Sequence, residues 1–544
     1  KTQEVAVGNK SNINVTLTEE TVGIEEVIAI GYGTMKKSDL AGAVASVKGD
    51  DLGSTPANTI VQTLQGRTAG VDIKSASNAP GGGIRIRIRG TNSINASSEP
   101  LYVIDGFPID NSDIAPKGAG NNALSPSPLA SLSSTEIQSV EILKDASSTA
   151  IYGSRGANGV VLITTKRGQA GKSKIDFDYS LNISSVRKKL DLCNAEELAI
   201  LTNEWAVNNG RVLFYNGVSK PLPKDLGQGT DWQDAIFRTA LTHNYNLSIS
   251  GGTENTKYLV ACSYLDQNGI IIESNFKRAG LKFNLDQIVS KKIKIGVNMN
   301  ANRTVNDAVP SDGTGYQNDS PLWNALVTTP AIPIMDVNGN YVNNQDEGIE
   351  KILENPVSIA KTRKDITYTT RLLSSAFTEV EILKGLIFRA NFGADISNSK
   401  RNVYIPNTAK TQALPNLGVA SIGSVQSLNW LTEYTLTYKR DFSKDHRLTA
   451  LAGYTAQATA IESVFSRTDN FSTNKFEFNN LGAGSDPRPS ESSTIQAGLL
   501  SYIARLNYAY KDKYIFTGTM RRDGSSKFGA QNKWGIFPSA GLAW

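Results

Sequence analysis

The sequence predicts a mixed α/β domain followed by an antiparallel β-barrel of the kind that crosses an outer membrane. Three observations carry the prediction. Residues 24–168 mix a helix start, a hairpin turn and short apolar strands. From residue 171 onward, ten or more segments alternate apolar or aromatic residues with Ser, Asn, Asp, Arg or Thr. No apolar run approaches the ~18 residues that a membrane-spanning helix needs, which leaves a soluble protein or one that spans with strands.

The elements follow in order. Residues 1–20 lack the basic start and apolar core of a signal peptide. Residues 11–17 put Ile13, Val15 and Leu17 on one face, a strand signal. Thr55-Pro56 pairs a capping hydroxyl with Pro at the first helical position. The helix it opens runs through Ile60, Val61 and Leu64 and stops at Gly66. Residues 84–89 read Ile-Arg-Ile-Arg-Ile-Arg. As a strand they turn Ile84, Ile86 and Ile88 to a core and Arg85, Arg87 and Arg89 to a water-filled surface. A small domain held inside a polar barrel lumen has this two-sidedness. Asp105-Gly106, between residues 101–104 and 107–109, is a two-residue hairpin signal. Residues 137–143 read as a strand, 146–152 as a short helix and 160–165 as an apolar strand.

Beyond Gly171 the alternating segments include 174–183, 244–250, 257–264, 280–285, 294–300, 386–395, 428–438, 447–454, 500–510 and 514–520. Long polar loops separate some of them, residues 303–368 being the longest. Such a series matches the outer-membrane barrel signature, and Tyr and Phe near strand ends suit an interfacial girdle. A sandwich or propeller fits less well, because loop lengths vary and no fixed repeat exists.

Composition excludes several functions. The 544 residues carry 42 aromatics and a net charge of +5. That is not a disordered chain, and the charge is too mild to argue for nucleic acid. Two cysteines, Cys193 and Cys262, exclude a disulfide scaffold and a four-cysteine zinc site. Two histidines, His243 and His446, exclude a His-rich metal centre, and neither lies near a nucleophile-elbow motif. The Gly-rich runs 80–83 and 153–159 fit neither a P-loop nor a dinucleotide fingerprint and read as turns. In residues 336–347, Asp336, Asn338, Asn340 and Glu347 fall at positions 1, 3, 5 and 12 of an EF-hand loop. Position 6 is Tyr341 where Gly is required, so an Asn-Gly loop is the main reading and calcium near Asp336 the minor one. Asp105, Asp110 and Asp113 could pair for acid–base chemistry, but Asp105 reads better as a turn residue. Nothing nominates a catalytic residue.

Four longer motifs carry a resemblance. They are Glu25-Glu26-Val27-Ile28-Ala29-Ile30-Gly31-Tyr32-Gly33-Thr34 with Lys36-Lys37-Ser38-Asp39-Leu40, and Pro100-Leu101-Tyr102-Val103-Ile104-Asp105-Gly106. The third is Ser139-Val140-Glu141-Ile142-Leu143-Lys144-Asp145-Ala146 with Ile151-Tyr152-Gly153-Ser154-Arg155-Gly156. The fourth is Arg522-Asp523-Gly524-Ser525-Ser526-Lys527-Phe528-Gly529 with Lys533-Trp534-Gly535. In this order they resemble the SusC/RagA family of TonB-linked outer-membrane transporters of Bacteroidetes.

The resemblance implies that residues 1–23 end a carboxypeptidase-regulatory-like domain. It implies that residues 24–168 form the TonB-box segment and plug domain. Residues 169–544 would then supply about half of a 22-stranded transmembrane barrel, the chain being truncated at both ends. Glu26, Val27, Ile28, Ala29 and Ile30 would be the TonB box, an extended segment able to add as a strand to a partner sheet. By themselves these residues favour an ordinary short strand of the preceding domain, and Ala29-Ile30 before the Gly departs from commoner versions. The implied activity is TonB-dependent import of an oligomeric nutrient across the cell outer membrane, oligosaccharide ahead of peptide. A SusD-like surface lipoprotein would act as lid, and TonB with its inner-membrane motor as energy source. No cofactor, enzymatic step or nucleic acid is implied. The rivals are a lid-free TonB-dependent siderophore or vitamin receptor, a passive porin or adhesin, and a surface hydrolase.

Overall fold

The computed structural model describes residues 44–49, 64–75, 77–90, 98–109, 115–119, 128–310, 320–344, 353–410, 418–443 and 445–544. For residues 27–30, 33–36 and 84 it describes the backbone only. Residues 11–17 and 55–63 lie outside the described residues, although Leu64 is helical and Gly66 turns left-handed with φ 75°.

The N-terminal part folds around a five-stranded sheet. Its order is Val44–Lys48, Ile137–Leu143, Val160–Thr165, Leu101–Ile104, Phe107–Pro108. Only the pairing of Leu101–Ile104 with Val160–Thr165 is parallel. Residues 140–143 and 160–163 are buried on both faces because both faces are covered, Glu141 being the one charged side chain among them. A separate hairpin joins Val71–Ser75 to Ile84–Ile88. Its Ile86 and Ile88 enter the core, while Arg85 is exposed and Arg89 pairs with Asp145 at 2.5 Å. Asp105 and Gly106 have φ of 49° and 88°, the left-handed pair a tight hairpin turn requires. The helix expected over 146–152 is a single α-turn, Ala146–Thr149, continuing as a 3-10 segment, Ala150–Gly156. Gly153, at φ 59° and ψ −137°, breaks the helical path.

The rest forms a thirteen-stranded antiparallel sheet. Twelve strands follow one another from Gly171–Ser184 to Trp534–Ala543, and the short Gly484–Pro487 attaches to His446–Phe471. The two outermost strands of this series are not paired with each other. One end carries only short turns, at 253–255, 291–292, 384–385, 444–445 and 511–513. The other carries the long connections 185–239 and 308–363, with helices Ala195–Asn208, Trp232–Ile236, Pro321–Val327 and Pro356–Thr362. In outer-membrane barrels short turns face the periplasm and long loops the outside, which sets the orientation. No described helix is long and apolar enough to cross a membrane.

The burial pattern is inverted relative to a soluble protein. On Ala240–Gly252, Leu241, Tyr245, Leu247 and Ile249 are exposed, whereas the opposite face carries Thr242, Asn244, Asn246 and Ser248. Ile293, Ile295 and Val297 likewise face out, and Asn300 and Asn302 are buried inside. Among the largest fully buried side chains are Arg521 and Lys282. Two outward aromatic rows frame this apolar band. His446, Tyr508, Tyr510 and Tyr514 cluster beside the short turns, and Tyr434, Tyr454, Tyr502 and Trp534 form the upper row. Eight residues separate His446 from Tyr454 on one strand, about 27 Å of strand and roughly 20 Å of height at the tilt of such barrels.

Several strands exceed their sequence patterns. Val419–Ser443 and His446–Phe471 have 25 and 26 residues, where alternation marks only 428–438 and 447–454. About 9–11 residues cross the bilayer; the upper parts stand in water on both faces, so no apolar alternation marks them. For the same reason the loop expected over 303–368 is shorter: residues 303–307 and 366–370 still pair, and the connection is 308–363.

Candidate functional site

The inner domain meets the barrel wall along polar seams built from buried side chains, interrupted where Leu431 and Ile503 of the wall join the domain's apolar clusters. On one side Asp105 is the hub. Its carboxylate accepts from the Thr165 backbone N–H at 3.0 Å, from the Thr165 hydroxyl at 2.5 Å and from the Asn298 amide of the wall. Arg167 lies 4.0 Å from Asp105 and 3.6 Å from Asp286 of the wall. The turn that makes Asp105 legible in the sequence thus also aims it at the barrel. Asp110 and Asp113 lie outside the described residues.

Glu136 is a second hub. It accepts from the Asn300 amide at 2.9 Å and the Ser263 hydroxyl at 3.3 Å, while buried Lys282 donates to its backbone carbonyl at 3.5 Å. Above it, Arg278 donates to the carbonyls of Ala130 and Leu132 at 3.0 and 2.7 Å. Arg278 and Lys282 sit on inward-facing positions of the strand Asn275–Ser290, with Ala279, Leu281 and Phe283 alternating between and beyond them. That alternation was the available signal, but sequence reasoning did not single them out.

Across the domain, Arg521 is wholly buried. It donates to Asp523 at 2.6 Å, to the Ile151 carbonyl at 2.6 Å and to Ser501 at 2.8 Å. Asp523 in turn accepts from the Ser154 backbone N–H at 3.2 Å. A Cβ on Gly153 would stand 2.1 Å from the Asp523 carboxylate, so only Gly lets the loop approach this pair. Next to it Arg155 donates to Gln457, which donates to Asn429 at 2.8 Å, which reaches the Pro108 carbonyl at 3.4 Å. Phe107 packs where a Cβ on Gly393 would be 2.2 Å from its ring. Near the long loops, the Ala119 N–H donates to Ser421 at 2.8 Å, and Gly118 lies against Arg401, which is bidentate to Asp365.

Inside the domain, Glu99 ties the Arg hairpin to the central sheet. It accepts from the Ile86 N–H at 3.3 Å and the Tyr102 hydroxyl at 3.2 Å. Burial raises its carboxyl pKa above the ordinary 4.5, and burial with the neighbouring Glu99 charge pushes the Tyr102 hydroxyl well up. For a group raised in the folded state, the stabilising contribution is whole below the ordinary value and is lost as pH rises through the raised one. Glu99→Gln keeps an acceptor for both donors without the charge. Its Ile86 amide is therefore expected to exchange no faster than wild type at neutral pH, the difference vanishing at pH ~4. Faster exchange in the Gln variant at neutral pH would contradict this.

The remaining sequence candidates are placed as follows. Val27–Ile30 is a strand paired antiparallel with Gly33–Lys36, Val27 opposite Lys36 and Ile30 opposite Gly33; Glu26 lies outside the described residues. Asp336 closes an Asx turn, accepting from the N–H groups of Asn338 and Asn340 at 2.9 and 2.8 Å, which hold its pKa low. Glu347 lies outside the described residues. Among those residues no three His, Cys, Asp or Glu side chains are grouped as a metal would need. Cys193 and Cys262 are free and exposed.

Comparison with known proteins gives a consistent picture. Residues 36–160 match the TonB-dependent Receptor Plug Domain family. The chain is 36% identical over 548 residues to TonB-dependent receptor P3 of Formosa agariphila, covering all of this chain and 51% of that receptor. It is 32% identical over 576 residues to TonB-dependent receptor SusC of Bacteroides thetaiotaomicron, covering 53% of it. The chain thus spans about half the length of these curated relatives. Among solved structures, the RagAB peptide importer in its open-open state superposes with a TM-score of 0.81 at 26% identity, over 95% of this chain and 58% of that one. The ferric citrate transporter FecA, at 12% identity and a TM-score of 0.55, shares the fold.

Proposed function

The chain is of the SusC/RagA type of TonB-dependent receptor, and on that footing we propose that the parent protein actively imports an oligomeric nutrient across the outer membrane. The observation that carries the reading is the seam: a plug clamped inside the lumen by buried, hydrogen-bonded charges. Only a few wall side chains, such as Leu431 and Ile503, add apolar contact; a wholly apolar seam would cost about 25 cal/mol for each Å² exposed on opening. Polar groups regain water instead, so such a plug can be displaced and return. A passive pore has no use for this arrangement.

Residues 26–30 serve in this reading as the TonB box. Recruited as an added strand by TonB, Val27–Ile30 exchange their pairing with Gly33–Lys36 for the partner's sheet. Traction from there reaches Val44–Lys48 first, a strand at the edge of the plug sheet held by one neighbour. The domain assignment follows: TonB-box segment and plug to residue 168, barrel from 169.

The substrate is proposed to be an oligosaccharide captured under a SusD-like lipoprotein lid. The resemblance to the SusC family supports this. A peptide substrate is the second reading, favoured by the likeness to the RagAB peptide importer. Native mass spectrometry of the intact parent protein, mildly extracted from its own membrane, tests both. A co-purifying lipoprotein with a hexose-spaced ladder is expected. Amino-acid spacings would mean peptide. A bare barrel over repeated extractions would sink the lid and favour a siderophore or vitamin receptor.

A further inference from the structure

We propose that the short-turn rim of the barrel is a binding collar for anionic phospholipid headgroups of the periplasmic leaflet. This rests on the outer-membrane reading above.

The two ends of the barrel differ in charge. The five short turns carry six lysines against three acidic residues. The six connections at the opposite end carry 15 basic and 17 acidic residues. Five of them, Lys291, Lys292, Lys384, Lys511 and Lys513, are exposed, and Lys444 lies outside the described residues. None of these five makes an ion pair with a described residue. The pairs formed near this rim use other cations, such as Lys294 with Asp286 and Arg447 with Asp512.

Position is the second observation. Lys511 lies 5.3 Å above the Tyr510 ring, Lys513 5.7 Å above Tyr514, and Arg440 5.2 Å above Phe442. These rings belong to or adjoin the lower aromatic row, which marks the level where hydrocarbon gives way to headgroups. Each stem therefore runs along the interface and delivers its cation at phosphate depth. A row of such cations attracts anionic lipid roughly in proportion to its number. A soluble acidic partner would need no aromatic anchoring at this level, so the lipid phosphate is the occupant the geometry favours.

The test reconstitutes the full-length protein into nanodiscs of equimolar phosphatidylglycerol and phosphatidylethanolamine, then counts lipids retained by native mass spectrometry after detergent release. Wild type is expected to retain phosphatidylglycerol several-fold over phosphatidylethanolamine. A variant with Lys291, Lys292, Lys384, Lys511 and Lys513 changed to Gln is expected to lose that preference while still inserting. Adding inorganic phosphate should leave the preference intact; its loss would show simple anion exchange and overturn the lipid assignment. Equal retention by wild type and variant, or no preference in wild type, would overturn the collar. Wild-type protein that fails to insert at all would instead contradict the outer-membrane reading.

Discussion

Replacing Arg521 by Ala is expected to release the plug from one wall of the barrel. The guanidinium is fully buried and holds three partners at once: Asp523, the Ile151 carbonyl and Ser501. Its loss leaves the Asp523 carboxylate buried without a counter-charge and the Ile151 carbonyl without its donor. Removing one member of a buried pair costs ~3–5 kcal/mol, whereas replacing both members by apolar residues of similar volume is often near neutral. The barrel ladder does not depend on this pair, so the loss falls on the seam. Hydrogen exchange on the full-length protein in detergent should show residues 150–156 opening in Arg521→Ala with the strands still protected. Arg521→Leu combined with Asp523→Leu should recover part of that protection. A double variant as open as the single one would contradict the account.

Gly153 is expected to be nearly as sensitive, for a different reason. Its φ of 59° with ψ −137° is a conformation side chains avoid, at about 1–3 kcal/mol of strain. A Cβ there would also stand 2.1 Å from Asp523 and 2.7 Å from Arg521. Gly153→Val therefore strains the backbone and breaks the latch together. Correctly plugged protein, read as resistance of residues 150–156 to protease in isolated outer membranes, is expected to fall sharply. Gly529→Ala, where a Cβ meets nothing within 4 Å, is the control and should behave as wild type. Normal protection in Gly153→Val would contradict the close approach of loop and wall.

Much of this architecture is legible in the sequence because membrane and lumen impose opposite chemistries on alternate residues. Leu241, Tyr245, Leu247 and Ile249 against Thr242, Asn244, Asn246 and Ser248 can be read without coordinates. So can the Ile face of residues 84–88 and the Asp105-Gly106 turn. The upper halves of long strands cannot, because water wets both faces there and no alternation is imposed. The seam is also illegible as a set. Arg521, Asp523 and Asn300 are ordinary inward polar strand residues one at a time, and Glu136 an ordinary turn residue of the inner domain. Only the fold brings Ser154 to Asp523 across 369 positions and Asn300 to Glu136 across 164. Gly153 shows the same limit: the sequence marks a Gly-rich turn, and the wall explains which Gly is indispensable.

The most direct test of energised import is uptake by cells carrying the parent protein with residues 26–30 deleted. Labelled substrate identified from the co-purifying ladder is the probe, measured with and without a protonophore. Transport should fall to background in the deletion and on collapse of the proton gradient, while surface binding persists, because the seam and the outer face are untouched. Uptake that survives both treatments would mean an open pore and contradict the account.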